Sequence, residues 1–384
     1  MSIITLFWSA VARIAAGMAI AAQMVLGFIN PAVVISTQPI PQTVTTATSS
    51  VTIHATNVAS TTPLFPTTPA KHSIISLPVS TATTSVALKT VTIPVISAPA
   101  ENPNDVNTNT RAALINIYCT TGAGGYDYPI SGSGVIIDTR GVILTNAHVA
   151  QYFLLRDYPT PGNIVCIVRT GSHAQAKYNA ELLYLPPAWV DANAAKITAT
   201  EATSTGQNDY ALLLITSTTS GAPLPDSFTN VHITTDDPIL GDPVLLAGYP
   251  AGLLGGTDIT TGLYASSAFS TIQNIFTFID GGTPDVVSMG GNIVSQAGSS
   301  GGAVIRAYDG SLQAIISTAS EGATTTATRE LHGITVGYIN RSLQTNAGEG
   351  LAQLLIGDVK QEADTFSAET APTLTKKLEA ALPK

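Results

Sequence analysis

Charge is scarce in this chain. Of its 384 residues only 11% are Asp, Glu, Lys or Arg, against about a quarter in ordinary soluble proteins. What charge there is leans acidic, with a formal net charge of −9, and no basic patch interrupts it. That balance argues against nucleic-acid binding, which needs clustered Lys and Arg to neutralise phosphates. Cysteine is almost as rare. The chain has two, Cys119 and Cys166, and they lack the spacing and the histidine companions of a zinc site. Neither a metal nor a cofactor is expected.

Hydrophobic residues, by contrast, reach 45%, and part of that excess is local. From Ile14 to Ser36 no residue is charged, and Arg13 stands immediately before the stretch. An apolar run of this size can cross a bilayer as a helix of about 20 residues. Arg13 as the flanking positive charge puts the N-terminus in the cytoplasm and the remainder outside. Residues 1–36 are therefore expected to be a signal anchor, or a signal peptide if cut near Val34-Ile35-Ser36. The rest of the chain would then be membrane-anchored and extracytoplasmic, or secreted after cleavage. Residues 37–110 differ in kind: Thr, Ser, Pro, Val and Ala recur, and between Thr37 and Ala100 only Lys71 and Lys89 are charged. Such sequence buries little surface and loses backbone donors to proline, so an extended low-complexity linker is expected.

Beyond residue 110 short Val, Ile, Leu and Tyr runs alternate with Gly, Asn, Asp and Pro turns, the punctuation of an all-β fold. Three motifs stand out in this region: Thr145-Asn146-Ala147-His148-Val149, Asn208-Asp209-Tyr210-Ala211-Leu212-Leu213 and Gly298-Ser299-Ser300-Gly301-Gly302. A serine hydroxyl is a poor nucleophile near neutral pH, so Ser300 needs a base, and His148 suits that exchange. Asp209 would accept from the other ring nitrogen, fixing the tautomer and stabilising the imidazolium. The glycines let the backbone turn tightly, so that the amides of Gly298 and Ser300 point into one small oxyanion-binding cavity. Asp191, after Trp189-Val190, is the reserve candidate for the acid.

The ordered motifs resemble the trypsin-like, chymotrypsin-fold serine peptidases, and within them the HtrA-like branch. The likeness runs over about residues 111–345. Ser131-Gly132-Ser133-Gly134-Val135-Ile136-Ile137 and Gly141-Val142-Ile143-Leu144 look like the strands leading to the family's histidine. Gly248-Tyr249-Pro250-Ala251-Gly252 with Thr260-Thr261-Gly262 looks like the opening of a second barrel. The resemblance implies two six-stranded antiparallel β-barrels, about 111–240 and 241–345, with His148 and Asp209 on the first and Ser300 on the second. It implies a serine endopeptidase acting on polypeptides through an acyl-enzyme. The departures are Ala303, where a proline is common, and an insertion around Tyr184 to Gln207. Ser299 also stands where trypsin-type zymogens carry an aspartate that pairs with a freed N-terminal amine; a serine cannot form that ion pair, so activity should not require that cut.

The same resemblance makes the strands of Cys119 and Cys166 neighbours, within disulfide reach, the alternative being two free buried thiols. The pocket for the residue before the scissile bond would be walled by Ser295, Gln296, Ala297 and Gly298 on one side and Ser317, Thr318 and Ala319 on the other. None of these is acidic, so a small or apolar side chain is expected there rather than Lys or Arg. His332, at the rear, would favour an acidic residue instead. Residues 346–384 are expected to hold a C-terminal helix, from the spacing of Leu351, Leu354, Leu355 and Val359, followed by a tail. That stretch is too short for the PDZ domain of many HtrA-like enzymes, and it gives no oligomeric state. Two other classes compete: a catalytically silent, surface-anchored peptide-binding relative, and an esterase. The esterase elbow carries its serine in a strand-to-helix turn ahead of its acid and histidine, whereas here the histidine comes first.

Overall fold

The computed structural model describes residues 101–121, 129–198, 205–319 and 330–382. The apolar segment within residues 1–36 and the spacer up to residue 100 lie outside them. Among the described residues no helix is long and apolar enough to cross a membrane.

Twelve strands form two closed antiparallel barrels. The first contains β1 (Leu114–Thr121), β2 (Ile130–Ile136), β3 (Val142–Thr145), β4 (Ile164–Thr170), β5 (Gln175–Tyr184) and β6 (Ala211–Thr218). The second contains β7 (Pro243–Gly248), β8 (Ser266–Phe276), β9 (Val286–Met289), β10 (Ala303–Arg306), β11 (Leu312–Ala319) and β12 (Leu331–Thr335). Around the first barrel the order is β1-β2-β3-β6-β5-β4, and the second repeats it as β7-β8-β9-β12-β11-β10. Closure gives each strand a neighbour on both sides over at least part of its length, and the β-branched and leucine runs fill each interior. Ile115, Ile117, Val135, Ile143, Leu144, Leu212 and Leu213 are buried in the first barrel, and Val244, Leu246, Val287, Met289, Val304 and Ala314 in the second.

Two sequence expectations change. Residues 103–110, read as the end of an extended linker, are helical: α1 spans Pro103–Ala113. Pro103 sits in its first turn, where no amide is needed, and the Asn102 side chain caps it by accepting from the Asn104 amide at 2.9 Å. Val106, Thr110 and Ala113 are buried, so tertiary packing overrides the polar composition. The C-terminal region is likewise more than one helix and a tail.

A turn of helix, α2 (Ala147–Ala150), follows β3, α3 (Pro187–Asn193) lies in the insertion, and α4 (Gly256–Thr261) follows β7. The C-terminal helices begin earlier than expected, with α5 (Val336–Ala347), and continue as α6 (Leu351–Ile356), α7 (Val359–Thr365) and α8 (Ala371–Ala381). Thr335 caps α5 by accepting from the Tyr338 amide at 3.0 Å, and Gly348, at φ 85°, ends it. Leu374 and Leu378 of α8 are buried, which ties down the segment expected to trail.

Cys119 on β1 and Cys166 on β4 are direct cross-strand partners with Cα atoms 4.0 Å apart, and they form a disulfide. Replacing both by Ala should lower the unfolding free energy by about 2–4 kcal/mol, since the bond closes a long loop in the unfolded chain. Urea unfolding of the two proteins measures this; equal midpoints would show the bond to be energetically idle.

Candidate active site

His148 and Asp209 meet because of strand register. β3 pairs with β6 so that Thr145 faces Ala211, which brings the residues just after one strand and just before the other to the same end of the barrel. Past Thr145 the chain turns into α2, whose Ala147, Val149 and Ala150 are buried while His148 points outward, its side chain 36% exposed. Asn146 ties the two segments together by donating its side-chain amide to the Asp209 carbonyl at 2.8 Å.

Asp209 is 1% exposed, and a carboxylate removed from water must find donors. It has three. Its Oδ1 accepts from the His148 backbone amide at 3.0 Å, and its Oδ2 accepts from His148 Nδ1 at 2.8 Å and from the Ser317 hydroxyl at 3.1 Å. Because a carboxylate oxygen can only accept, the proton of the neutral ring belongs on Nδ1, which leaves Nε2 with a free lone pair. Burial, the largest single influence on His148, pushes its pKa down. The charge of Asp209 and its hydrogen bond together more than reverse this, and the net shift is upward.

Ser300 lies in the turn that enters β10, and the first barrel grips this turn. The Ser133 amide on β2 donates to the Ser300 carbonyl at 2.7 Å, and the Ser133 hydroxyl donates to the Gly298 carbonyl at 2.8 Å. The turn needs its glycines. Gly298 has φ 92° and Gly301 φ 84°, both in the left-handed region. At Gly301 a Cβ would come within 2.1 Å of the Ser133 carbonyl and 2.4 Å of Thr145 Oγ1, so a side chain there would wedge the barrels apart. Among the described residues the amides of Gly298 and Ser300 donate to no protein acceptor. Two unengaged donors in one turn are available to a developing oxyanion.

Ser317 on β11 links two of the three predicted residues directly. Its hydroxyl donates to Asp209 at 3.1 Å while its carbonyl accepts from the Ser300 hydroxyl at 3.0 Å. Acid and alcohol therefore meet on one residue at the junction of the barrels, and the base is joined to it through the acid. Residues 132–315 match the family model described as "Trypsin-like peptidase domain". Residues 132–315 are thus similar to a trypsin-like peptidase domain. The enzyme class that goes with this domain is serine endopeptidase.

The chain is also similar to solved serine proteases. A protease from M. tuberculosis in its active form shares 18% identity over 69% of this chain and 95% of its own, with a TM-score of 0.40. A serine endoprotease from Yersinia pestis shares 19% over 66% and 67%, with a TM-score of 0.39. Deg5 shares 18% over 62% and 91%, with a TM-score of 0.40. No curated protein sequence matches the chain.

The remaining predicted residues of the peptidase domain fall into place unevenly. Asp191, the reserve acid, is on α3, pairs with Lys377 of α8 and is half exposed. Ser295 and Gln296 are buried and turned onto their own loop: Ser295 Oγ accepts from the Asn292 amide at 3.0 Å, and Gln296 Nε2 donates to the Ile293 carbonyl at 2.7 Å. Ala297 is exposed, and its carbonyl accepts from the Ala251 amide at 2.7 Å. Thr318 and Ala319 end β11, paired with His332 and Leu331.

Sequence reasoning missed a cavity of about 330 Å³ beside Ser317, walled chiefly by Phe276, Phe278, Val286, His332 and Ile334. His332 thus lies on a cavity, as its position suggested, edge-on to Phe276 at 6.0 Å and with its Nε2 3.9 Å from the Glu330 carboxylate. The missing signal was pairing: β9 and β12 converge there only after the second barrel closes.

His148 should titrate above the ordinary histidine value of 6.5. Asp209→Asn removes the charge that raises it and leaves desolvation unopposed, so the midpoint should fall below that value. NMR titration of the His148 ring in both proteins measures the shift, and a midpoint unaffected by the substitution would contradict the assigned cause.

Proposed function

We propose that His148, Asp209 and Ser300 are the catalytic triad of an extracytoplasmic endopeptidase. The observation that carries this reading is the arrangement at Ser317, one residue that touches both the buried acid and the serine hydroxyl. In the proposed reaction a peptide adds as a strand along residues 317–319 of β11, beyond the Ala303–Ile315 pair where its pairing with β10 ends, with its scissile carbonyl oxygen directed at the amides of Gly298 and Ser300. For the reaction Ser300 Oγ leaves the Ser317 carbonyl and turns its proton to His148 Nε2. Its proton passes to Nε2 as the oxygen attacks the carbonyl carbon. The imidazolium, held by Asp209, then protonates the leaving amine, and the acyl-enzyme is hydrolysed by water activated in the same way.

The substrate side chain before the scissile bond is small or apolar on this reading. No acidic group stands among the predicted walls, and the cavity beside Ser317 is lined mainly by apolar side chains. The Cys119–Cys166 disulfide and the uncharged stretch from Ile14 support an extracytoplasmic setting with an N-terminal membrane anchor. One observation favours the rival reading of a silent peptide-binding relative: the Ser300 hydroxyl rests on Ser317 rather than on the base.

The two readings separate cleanly. Wild-type protein should be labelled on Ser300 by a fluorophosphonate and should cleave casein, and Ser300→Ala should do neither while keeping its circular dichroism. Cleavage by Ser300→Ala at the wild-type rate would refute the triad, and a folded wild type that neither labels nor cleaves would favour the silent relative. Asp209→Asn should lower kcat by about 10⁴-fold through the wrong tautomer. In the wild type kcat/KM should fall on acidification through the raised His148 pKa, because only the neutral ring can take the proton.

A further inference from the structure

Asp209 follows a residue in an unusual conformation. Asn208, at φ 58°, is the single non-glycine residue with positive φ among the described residues, a state that costs free energy unless its surroundings enforce it. The enforcement comes from α5, the helix that follows the last strand of the second barrel. The Asn208 amide donates to Tyr338 Oη at 3.0 Å, and Tyr338 Oη donates back to Asn208 Oδ1 at 3.1 Å. Ser342, one turn further along α5, donates to the same Oδ1 at 2.8 Å and accepts from the Tyr210 hydroxyl at 3.0 Å. The Tyr338 and Ser342 hydroxyls each both accept and donate, and Tyr338, Ser342 and Tyr210 are all buried. The residues on either side of Asp209 are thus fastened to one helix. Between them the Tyr210 amide donates to the Asn208 carbonyl at 2.9 Å, so Asp209 occupies the apex of a tight turn.

We propose that Asn208, Tyr338 and Ser342 form a positioning latch, by which a helix of the second barrel aims the acid of the first at His148. None of the three touches the reacting atoms; they act through the orientation of Asp209. The latch rests on the triad reading above. It also adjoins the cavity beside Ser317, because Phe278, one of the cavity walls, packs edge-on against the Tyr338 ring at 4.8 Å.

The test uses Tyr338→Phe, which keeps the ring and its packing on Phe278, Ser342→Ala as a smaller perturbation, and Asn208→Gly. The glycine variant keeps the left-handed backbone but removes the side-chain acceptor. Each is measured in the full-length protein for kcat and KM on a peptide substrate, for thermal midpoint, and for the ¹⁵N-edited resonance of the His148 Nδ1 proton, assigned by its loss in Asp209→Ala. The latch predicts a fall in kcat of about ten-fold with KM within about two-fold, together with a displaced or broadened Nδ1 proton resonance. A role in stability alone would lower the thermal midpoint and leave kcat and the resonance at wild-type values, and that result in all three variants overturns the proposal. The resonance needs no turnover. If wild-type protein fails to cleave substrate, the triad reading falls, while the same spectra still decide whether the latch sets the His148–Asp209 bond.

Discussion

The site depends on one buried charge. Asp209 is almost wholly removed from water, and an ionised carboxylate in that position is costly unless its oxygens are filled with donors. The three donors that fill them are not interchangeable. The His148 amide fixes where α2 starts, the His148 ring supplies the proton that defines its tautomer, and the Ser317 hydroxyl reaches across from the other barrel. Satisfying the acid therefore orients the base and draws the two barrels together in the same act.

The barrels share the same strand order, yet they meet through different chemistry on each side of the junction. On the acid side the contacts are hydroxyls and amides: Ser317 to Asp209, and Tyr338 and Ser342 to Asn208. On the nucleophile side they are mostly backbone, with Ser133 of β2 donating through both amide and hydroxyl to the turn that carries Ser300. Ser133 also accepts from the Tyr249 amide at 2.8 Å, so a single small residue of the first barrel spans two loops of the second. Gly132 and Gly134, its neighbours, have no room for a side chain against Val149 and Ile143. In the Ser-Gly-Ser-Gly run before the histidine motif, Ser133 thus serves the interface and the two glycines serve the packing of the first barrel.

Much of this was legible in the residues because its causes are local. The alternation of apolar runs and turns marks strands wherever it occurs, and Gly298 and Gly301 advertise a left-handed turn because few other residues tolerate one. The motif order singled out His148, Asp209 and Ser300 as candidates for the same reason: each carries its own strand or turn context. What escaped was set by residues far apart in sequence. Ser317 appeared as a pocket wall, and its link to Asp209 exists only when β11 lies against the first barrel. The helix at 103–113 was hidden by polar composition, since its stability comes from three buried side chains rather than from propensity. Tyr338 and Ser342 gave no signal, because their partner is Asn208, on another barrel and more than a hundred positions earlier.

Ser299 shows how the turn manages without a charged brace. It is fully buried, packs where a Cβ on Gly248 would come within 3.2 Å, and its hydroxyl finds no hydrogen-bond partner among the described residues. An unpaired hydroxyl costs about 1–3 kcal/mol, whereas an aspartate in the same place would bring an unpaired buried charge and cost several. The turn is instead held by its neighbours. Ser133 binds the carbonyls of Gly298 and Ser300, the Gly301 amide donates to the Ile316 carbonyl at 2.7 Å, the Gly302 amide donates to Ser299 at 2.9 Å, and Ala251 holds Ala297. These bonds come from both barrels and involve no chain terminus. Ser299 offers a new N-terminal amine no carboxylate, and these bonds together with the glycines hold the nucleophile turn.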